Sequence, residues 1–414
     1  MKRAAILTAM ATLIVATHAS AGRDAFEVSV DVIENGNVVQ RGDTDFSKAI
    51  DSIDTFDNTG LESVASAYTP TSGAQAVLDF RGLETMISYQ ENQVPLRFQV
   101  PSIGIDRTFG QNANSRDESQ EQFEEFLKNN GDGLLTDLLQ ELAGETAVDP
   151  VAGNPNSLMS RMGRGSFAQA SDIQGQGTVN PEPAGKTRNA FAIGARFGRH
   201  SAGEFEQNSL TVPISYDIVF DDPGYQLQFD LPVTVIDTSG SKSYTGSFGA
   251  GFRVPVTDAW SLTPGARVGA LGSFDLASAA VVTSGSLTSN YNFYFDDIKL
   301  SIANNGGYYK TQSVGAGGFE VDYDLENWMT KNGLGIEGRT GLSIFGLDVT
   351  WQANATHTQF FGDRLFIESV ADIAASIGTE KGSGEWSDLR LGVTYTAALD
   401  EDYDAVMANF GYRF

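Results

Sequence analysis

From about residue 189 onward the chain alternates apolar and polar residues with a period of two, the pattern of strands with one oily and one wet face. Leu210, Val212, Ile214, Tyr216, Ile218 and Phe220 share one face, with Thr211, Ser215 and Asp217 opposite. Asp221-Asp222-Pro223-Gly224 predicts a tight turn. The return strand sets Tyr225, Leu227, Phe229, Leu231, Val233 and Val235 against Gln226, Gln228, Asp230 and Thr234. The same alternation recurs at 347–356, 389–397 and 404–414. Runs of this length, about nine to eleven residues, match what a tilted strand needs to cross a bilayer's hydrocarbon layer. Residues 189–414 have room for about twelve such strands, an even number as a closed barrel requires. Only 278–340 does not divide cleanly.

A soluble sandwich alternates too, and three details favour lipid. Aromatics recur near strand ends (Tyr225, Tyr395, Tyr412), where interfacial girdles belong. Asp217, Asp230, Arg253, Arg267, Asp348 and Arg390 all lie on the polar face. Short turns at Asp221–Gly224, Thr257–Trp260 and Ala398–Asp402 alternate with a longer connection, Asp237–Ser243, as expected of unequal loops on two membrane sides.

Upstream the pattern changes. Phe26–Ile33, Glu34-Asn35-Gly36-Asn37 and Val38–Gln40 predict a hairpin on an Asn-Gly turn. Ala76–Phe80 and Leu96–Val100 predict further strands. Asp117–Lys128, with Phe123, Phe126 and Leu127, predicts a helix. After Gly131–Gly133, leucines 134, 135, 138, 139 and 142 form a stripe at helical spacing that Gly144 closes. The stripe suits the core of a small N-terminal portion better than a plug in a polar lumen. Residues 145–188 are rich in Pro, Gly, Ser, Asn and Gln and read as a linker. The expected fold is therefore mainly β: a signal peptide (1–21), a small exported periplasmic α/β domain or plug (22–144), the linker, and a C-terminal transmembrane antiparallel β-barrel (189–414).

The signal peptide rests on Lys2 and Arg3, then the apolar run Ala4–Ala16, then small residues Ala19 and Ala21 before a cleavage point at Gly22. A net charge of −26 argues against nucleic acid as a partner. The chain has no cysteine, so neither a lipid anchor on Cys nor a disulfide is available.

Val406, Ala408, Phe410, Tyr412 and Phe414 form an outward stripe that runs to the final residue. Such an aromatic end resembles the closing strand of Gram-negative outer-membrane β-barrels. In that family Phe410, Tyr412 and Phe414 would form the signal read by the barrel-assembly machinery. A twelve-strand barrel behind an exported N-terminal region also resembles autotransporter translocators and the secretion channel of functional-amyloid systems. Two departures stand out: no pore-threading helix is evident before the first strand, and no N-terminal coiled coil. The resemblance implies a Gram-negative outer-membrane location, with the lipid and the assembly machinery as partners.

Chemistry is sparse. After export only His200 and His357 remain; Ser201, next to His200, points to the opposite strand face, and both histidines read as rim or interface residues. Asn129–Gly133 lacks the acidic spacing of a calcium loop, and Asp400, Glu401, Asp402 and Asp404 read as solvated turn charges. No enzyme activity, metal or cofactor is implied. The expected function is a channel for transport or secretion, its cargo an unnamed solute or polypeptide. Gln226, Asp230, Arg253, Arg267, Asp348, Gln352, Asn354 and Arg390 are its candidate lumen-lining residues. The alternative is a structural or adhesive surface barrel with a sealed lumen.

Overall fold

The computed structural model describes residues 23–173, 188–220, 224–316, 319–344, 346–379 and 389–413. The expected signal peptide with Ala19, Ala21 and Gly22, and the terminal Phe414, lie outside the described residues.

The N-terminal portion is a six-stranded antiparallel sheet: Asn37–Phe46, Phe26–Glu34, Gly73–Phe80, Leu83–Tyr89, Leu96–Val100 and Ile105–Phe109 in spatial order. Its first hairpin turns on Asn35 and Gly36, both at positive φ (50° and 75°), the conformation an Asn-Gly pair tolerates best. Val28, Val30, Val32, Ala76, Leu78 and Phe98 alternate into one buried face. Helix Arg116–Lys128 starts at Ser115, whose hydroxyl accepts from the Glu118 N–H, and stacks Phe123 against Phe98 and Phe109. Helix Leu134–Glu145 buries Leu134, Leu139 and Leu142 in the same core. The leucine stripe therefore belongs to this portion's packing.

From Arg188 a closed antiparallel barrel of 12 strands follows. Two of its strands are each interrupted, at Pro213 and near Pro232, because proline offers no N–H to the ladder. The segments Phe205–Val212 with Ile214–Val219, and Gln226–Asp230 with Val233–Thr238, each act as one wall strand. The ambiguous stretch resolves into Ser278–Phe295, Ile298–Gln312 and Glu326–Ile344. Closure comes from Tyr403–Arg413 pairing with Arg188–Ala202, Tyr412 opposite Ile193 and Phe410 opposite Ala195. The loop reading needs one correction. Asp237–Ser243 is no long connection: strands run through to Thr238 and from Ser241, leaving the turn Ser239–Gly240. Ser239 and Gly240 adopt the positive φ that so tight a turn demands.

The N-terminal sheet caps one end of this barrel, the end opposite Arg188 and Arg413. The Ala49 N–H donates to the Asp275 carbonyl at 2.8 Å, the Ser241 hydroxyl to the Ser47 carbonyl at 2.5 Å, and Arg23 pairs with Glu204 at 3.3 Å. One hydrophobic core runs through the cap and down into the barrel mouth, from Phe26 to Tyr309, Met329 and Phe360.

The stretch read as a linker contains structure the sequence pattern hid. Residues 146–157 descend into the barrel, and Leu158–Ala170 forms a helix, capped by Ser157, inside the lumen. A threading helix is therefore present before the first strand, and it occupies the lumen.

Candidate functional site: the occluded lumen

The lumen changes character along its length. Toward the cap, Leu271, Ala280, Val282, Tyr309, Met329 and Phe360 point inward and are buried. Toward the strand termini the wall turns polar, with Gln226, Gln228, Arg253, Asn290, Asn292, Gln352 and Asn354. The helix fits because glycines open the wall. A Cβ on Gly269 would fall 2.6 Å from the Met162 sulfur, and one on Gly333 would fall 2.8 Å from the Phe167 ring. Phe167 and Ile173 form a small apolar cluster with Ala303 on the wall.

Above the helix, Asp149 is wholly buried and faces the Arg81 guanidinium of the cap at 3.3 Å. Its carboxylate also accepts from the Val151 and Ala152 N–H groups and from the Tyr323 hydroxyl. Below the helix, Asp172 accepts from Arg253 at 2.9 Å and from Asn292 at 2.7 Å. Gln352 and Asn354 donate to the backbone carbonyls of Asp172 and Ile173. The threaded segment is thus fastened at both ends by buried charge pairs, with its helix packed between them.

Several expected lining residues meet here. Arg253, Gln352 and Asn354 hold the lower end of the segment. Arg267 pairs with Asp230 at 2.6 Å and reaches Ser166 and Gln169 on the helix. Gln226 is buried, accepting from Gln228 at 3.4 Å, and Arg390 donates to Ser376 and Thr350. Asp348 stands apart, exposed in the hairpin beside Ser343, because the ladder shifts register between Arg339 and Ser343. Asp149, Asp172, Arg81, Arg161 and Arg164 were missed, since no strand periodicity flags residues of a cap turn or an inserted helix.

His200 also needs correction. It is buried in the lumen, its Nε2 2.8 Å from the Ser209 hydroxyl and its Nδ1 2.8 Å from the Tyr403 hydroxyl. The serine comes from the neighbouring strand and not from position 201. None of the three is among the residues that line the lumenal cavity. His357 is exposed on the outer face and meets Ser369 at 3.0 Å. Asp400 caps the Glu368 and Ser369 N–H groups. Among the described residues no His, Asp or Glu cluster is arranged to hold a metal.

The outer surface decides the class. Phe197, Leu210, Phe248, Val268, Leu287, Leu334, Ile373 and Val393 are exposed around the wall, a belt no water-soluble protein would sustain. Tyr244, Tyr308, Trp328 and Phe361 ring it near the cap, and Tyr225, Phe252, Tyr291 and Phe293 ring it near the strand termini. Two aromatic girdles around an apolar band are the signature of a bilayer-spanning barrel. The chain folds as a membrane-spanning β-barrel threaded by its own N-terminal segment.

No protein-family model matches this barrel, and no curated protein is significantly similar to it. Among solved structures it is similar to the β domain of the Bordetella autotransporter BrkA: 16% identity, covering 55% of this chain and 98% of that one, TM-score 0.40. It is also similar to the translocator domain of the autotransporter NalP from Neisseria meningitidis: 13% identity, 62% and 96% coverage, TM-score 0.39. An outer-membrane channel from Pseudomonas putida F1 gives 10% identity, 57% and 98% coverage, TM-score 0.40.

Proposed function

We propose that this barrel is an outer-membrane translocator that carries its own N-terminal portion to the outer face and is afterwards kept closed by it. The threading carries the reading. The chain leaves the cap, crosses the lumen as Leu158–Ala170, and begins its first strand at the far end, beside Arg413. A domain and the first strand of its barrel come to lie at opposite ends of one pore when the chain between them has passed through it. Orientation is argued from loops. The longest connection between wall strands, Ser313–Leu325, is at the capped end, and longer loops face outward in such barrels. The cap then sits outside the cell and not in the periplasm.

The test is surface accessibility. On intact cells, a protease or an antibody against an epitope inserted at Asn35–Gly36 should reach the cap. Access only after the outer membrane is permeabilised would overturn the reading.

A second reading, a gated pore for a solute, draws on a cavity of about 180 Å³ left beside the helix. It differs by requiring conductance that a stimulus switches on in the unmodified protein. A purely structural surface barrel shares the sealed lumen and would give no passage even with the helix displaced.

A further inference from the structure

We propose that this cavity is a binding site for an oxyanion, a single phosphate- or sulfate-sized group held by Arg161, Arg164 and Arg196. All three line it, the first two three residues apart on the helix and the third on the first wall strand.

The charge arrangement of the lumen carries the argument. Three lumenal cations are matched by carboxylates: Arg253 by Asp172, Arg267 by Asp230 and Lys331 by Asp372, at 2.9, 2.6 and 2.7 Å, and Asp230 itself lines the cavity. For the three arginines the matching stops. Arg161 donates to the Asn156 carbonyl and to the hydroxyls of Thr211 and Thr234. Arg164 donates to the Pro155 carbonyl, and Arg196 to the Asn409 side-chain oxygen at 2.8 Å. Each of these acceptors is neutral, and among the described residues no carboxylate accepts a hydrogen bond from any of the three; of the two carboxylates that also line the cavity, Asp217 and Asp230, the second is held by Arg267. In a chain of net charge −26 this local positive excess is not a consequence of composition.

Gathering like charges away from bulk water is costly unless a counter-charge joins them. The cavity's volume, about 180 Å³, admits a tetrahedral oxyanion. Guanidinium groups present planar donor forks that suit such an anion better than a halide. Donors from helix and wall meet on the same group, so the bound anion ties the helix to the barrel and strengthens the closed lumen. The site does not depend on which membrane side the cap faces.

The experiment titrates inorganic phosphate into the full-length chain in detergent micelles at constant ionic strength, by equilibrium dialysis and by thermal unfolding. Saturable binding at one site is expected, with a melting temperature that rises with phosphate. Arg164→Gln with Arg196→Gln should weaken binding by about tenfold or more. Arg196→Lys should fall between, and Arg97→Gln in the cap should leave it unchanged. Heat-modifiable migration on gels reports whether each variant still forms the barrel. Absence of saturable uptake by the unmodified chain overturns the proposal whatever the variants do. So does equal competition by chloride, or unchanged affinity in the folded double variant.

Discussion

The Arg253 guanidinium on the barrel wall holds the Asp172 carboxylate at 2.9 Å, just where the chain leaves the lumenal helix. Both groups are nearly out of solvent, so neither can be left alone cheaply. Removing one partner of such a pair costs about 3–5 kcal/mol, because the other stays buried and uncompensated. Asp172→Ala should therefore loosen the lower end of the threaded segment. In planar bilayers the unmodified protein should stay silent, while the variant should show frequent openings. Asp172→Leu combined with Arg253→Met strands no charge and should be quieter than the single variant.

A second prediction concerns the space that glycine leaves. A Cβ on Gly333 would meet the Phe167 ring at 2.8 Å and the Ile173 Cδ1 at 2.9 Å. Gly333→Val should overpack this contact by about 1–3 kcal/mol and push the helix off the wall. Because Gly333 lies in a regular ladder opposite Thr356, the barrel itself should persist. A cysteine at the buried Ser171 should then react faster with a water-soluble maleimide, and Phe167→Ala should return it toward the slow rate.

The lipid belt gives a third. Phe248 projects outward midway between the girdle residues Tyr244 and Phe252 of its own strand. Phe248→Arg should cost about 2–4 kcal/mol in reversible unfolding from lipid, whereas Tyr244→Lys at the rim should cost about 0–1 kcal/mol. Equal costs at the two positions would contradict the depth assigned to them.

Sequence made the barrel legible because its walls obey a strict two-residue rule. Leu210 to Phe220, and Tyr225 to Val235, show which side faces lipid without any tertiary knowledge. The occupied lumen was not legible, for a physical reason. A pore filled with water needs polar inward residues, and most of this wall supplies them. The exceptions are doublets such as Tyr308-Tyr309, Val281-Val282 and Phe360-Phe361, where one member faces lipid and the other the threaded chain. Inward glycines at 269, 333 and 335 carry the same message, since an empty pore has no need of hollows in its wall. The lumenal helix escaped notice because its composition, with Gly163, Gly165 and three serines from Ser157 to Ser166, resembles a loop. Packing against the wall supplies what helix propensity does not.

The most direct measurement traps the helix where it lies. A Cβ built on Gly269 falls 3.2 Å from the Met162 Cγ, close to the reach of a disulfide once both positions are cysteine. The chain has no cysteine of its own, so Met162→Cys with Gly269→Cys forms an isolated pair. Under mild oxidation in intact membranes it should close in most molecules and change gel mobility until reduced. A correctly folded barrel in which this pair stays reduced, while a control pair across the ladder closes, would contradict a chain that plugs its own pore.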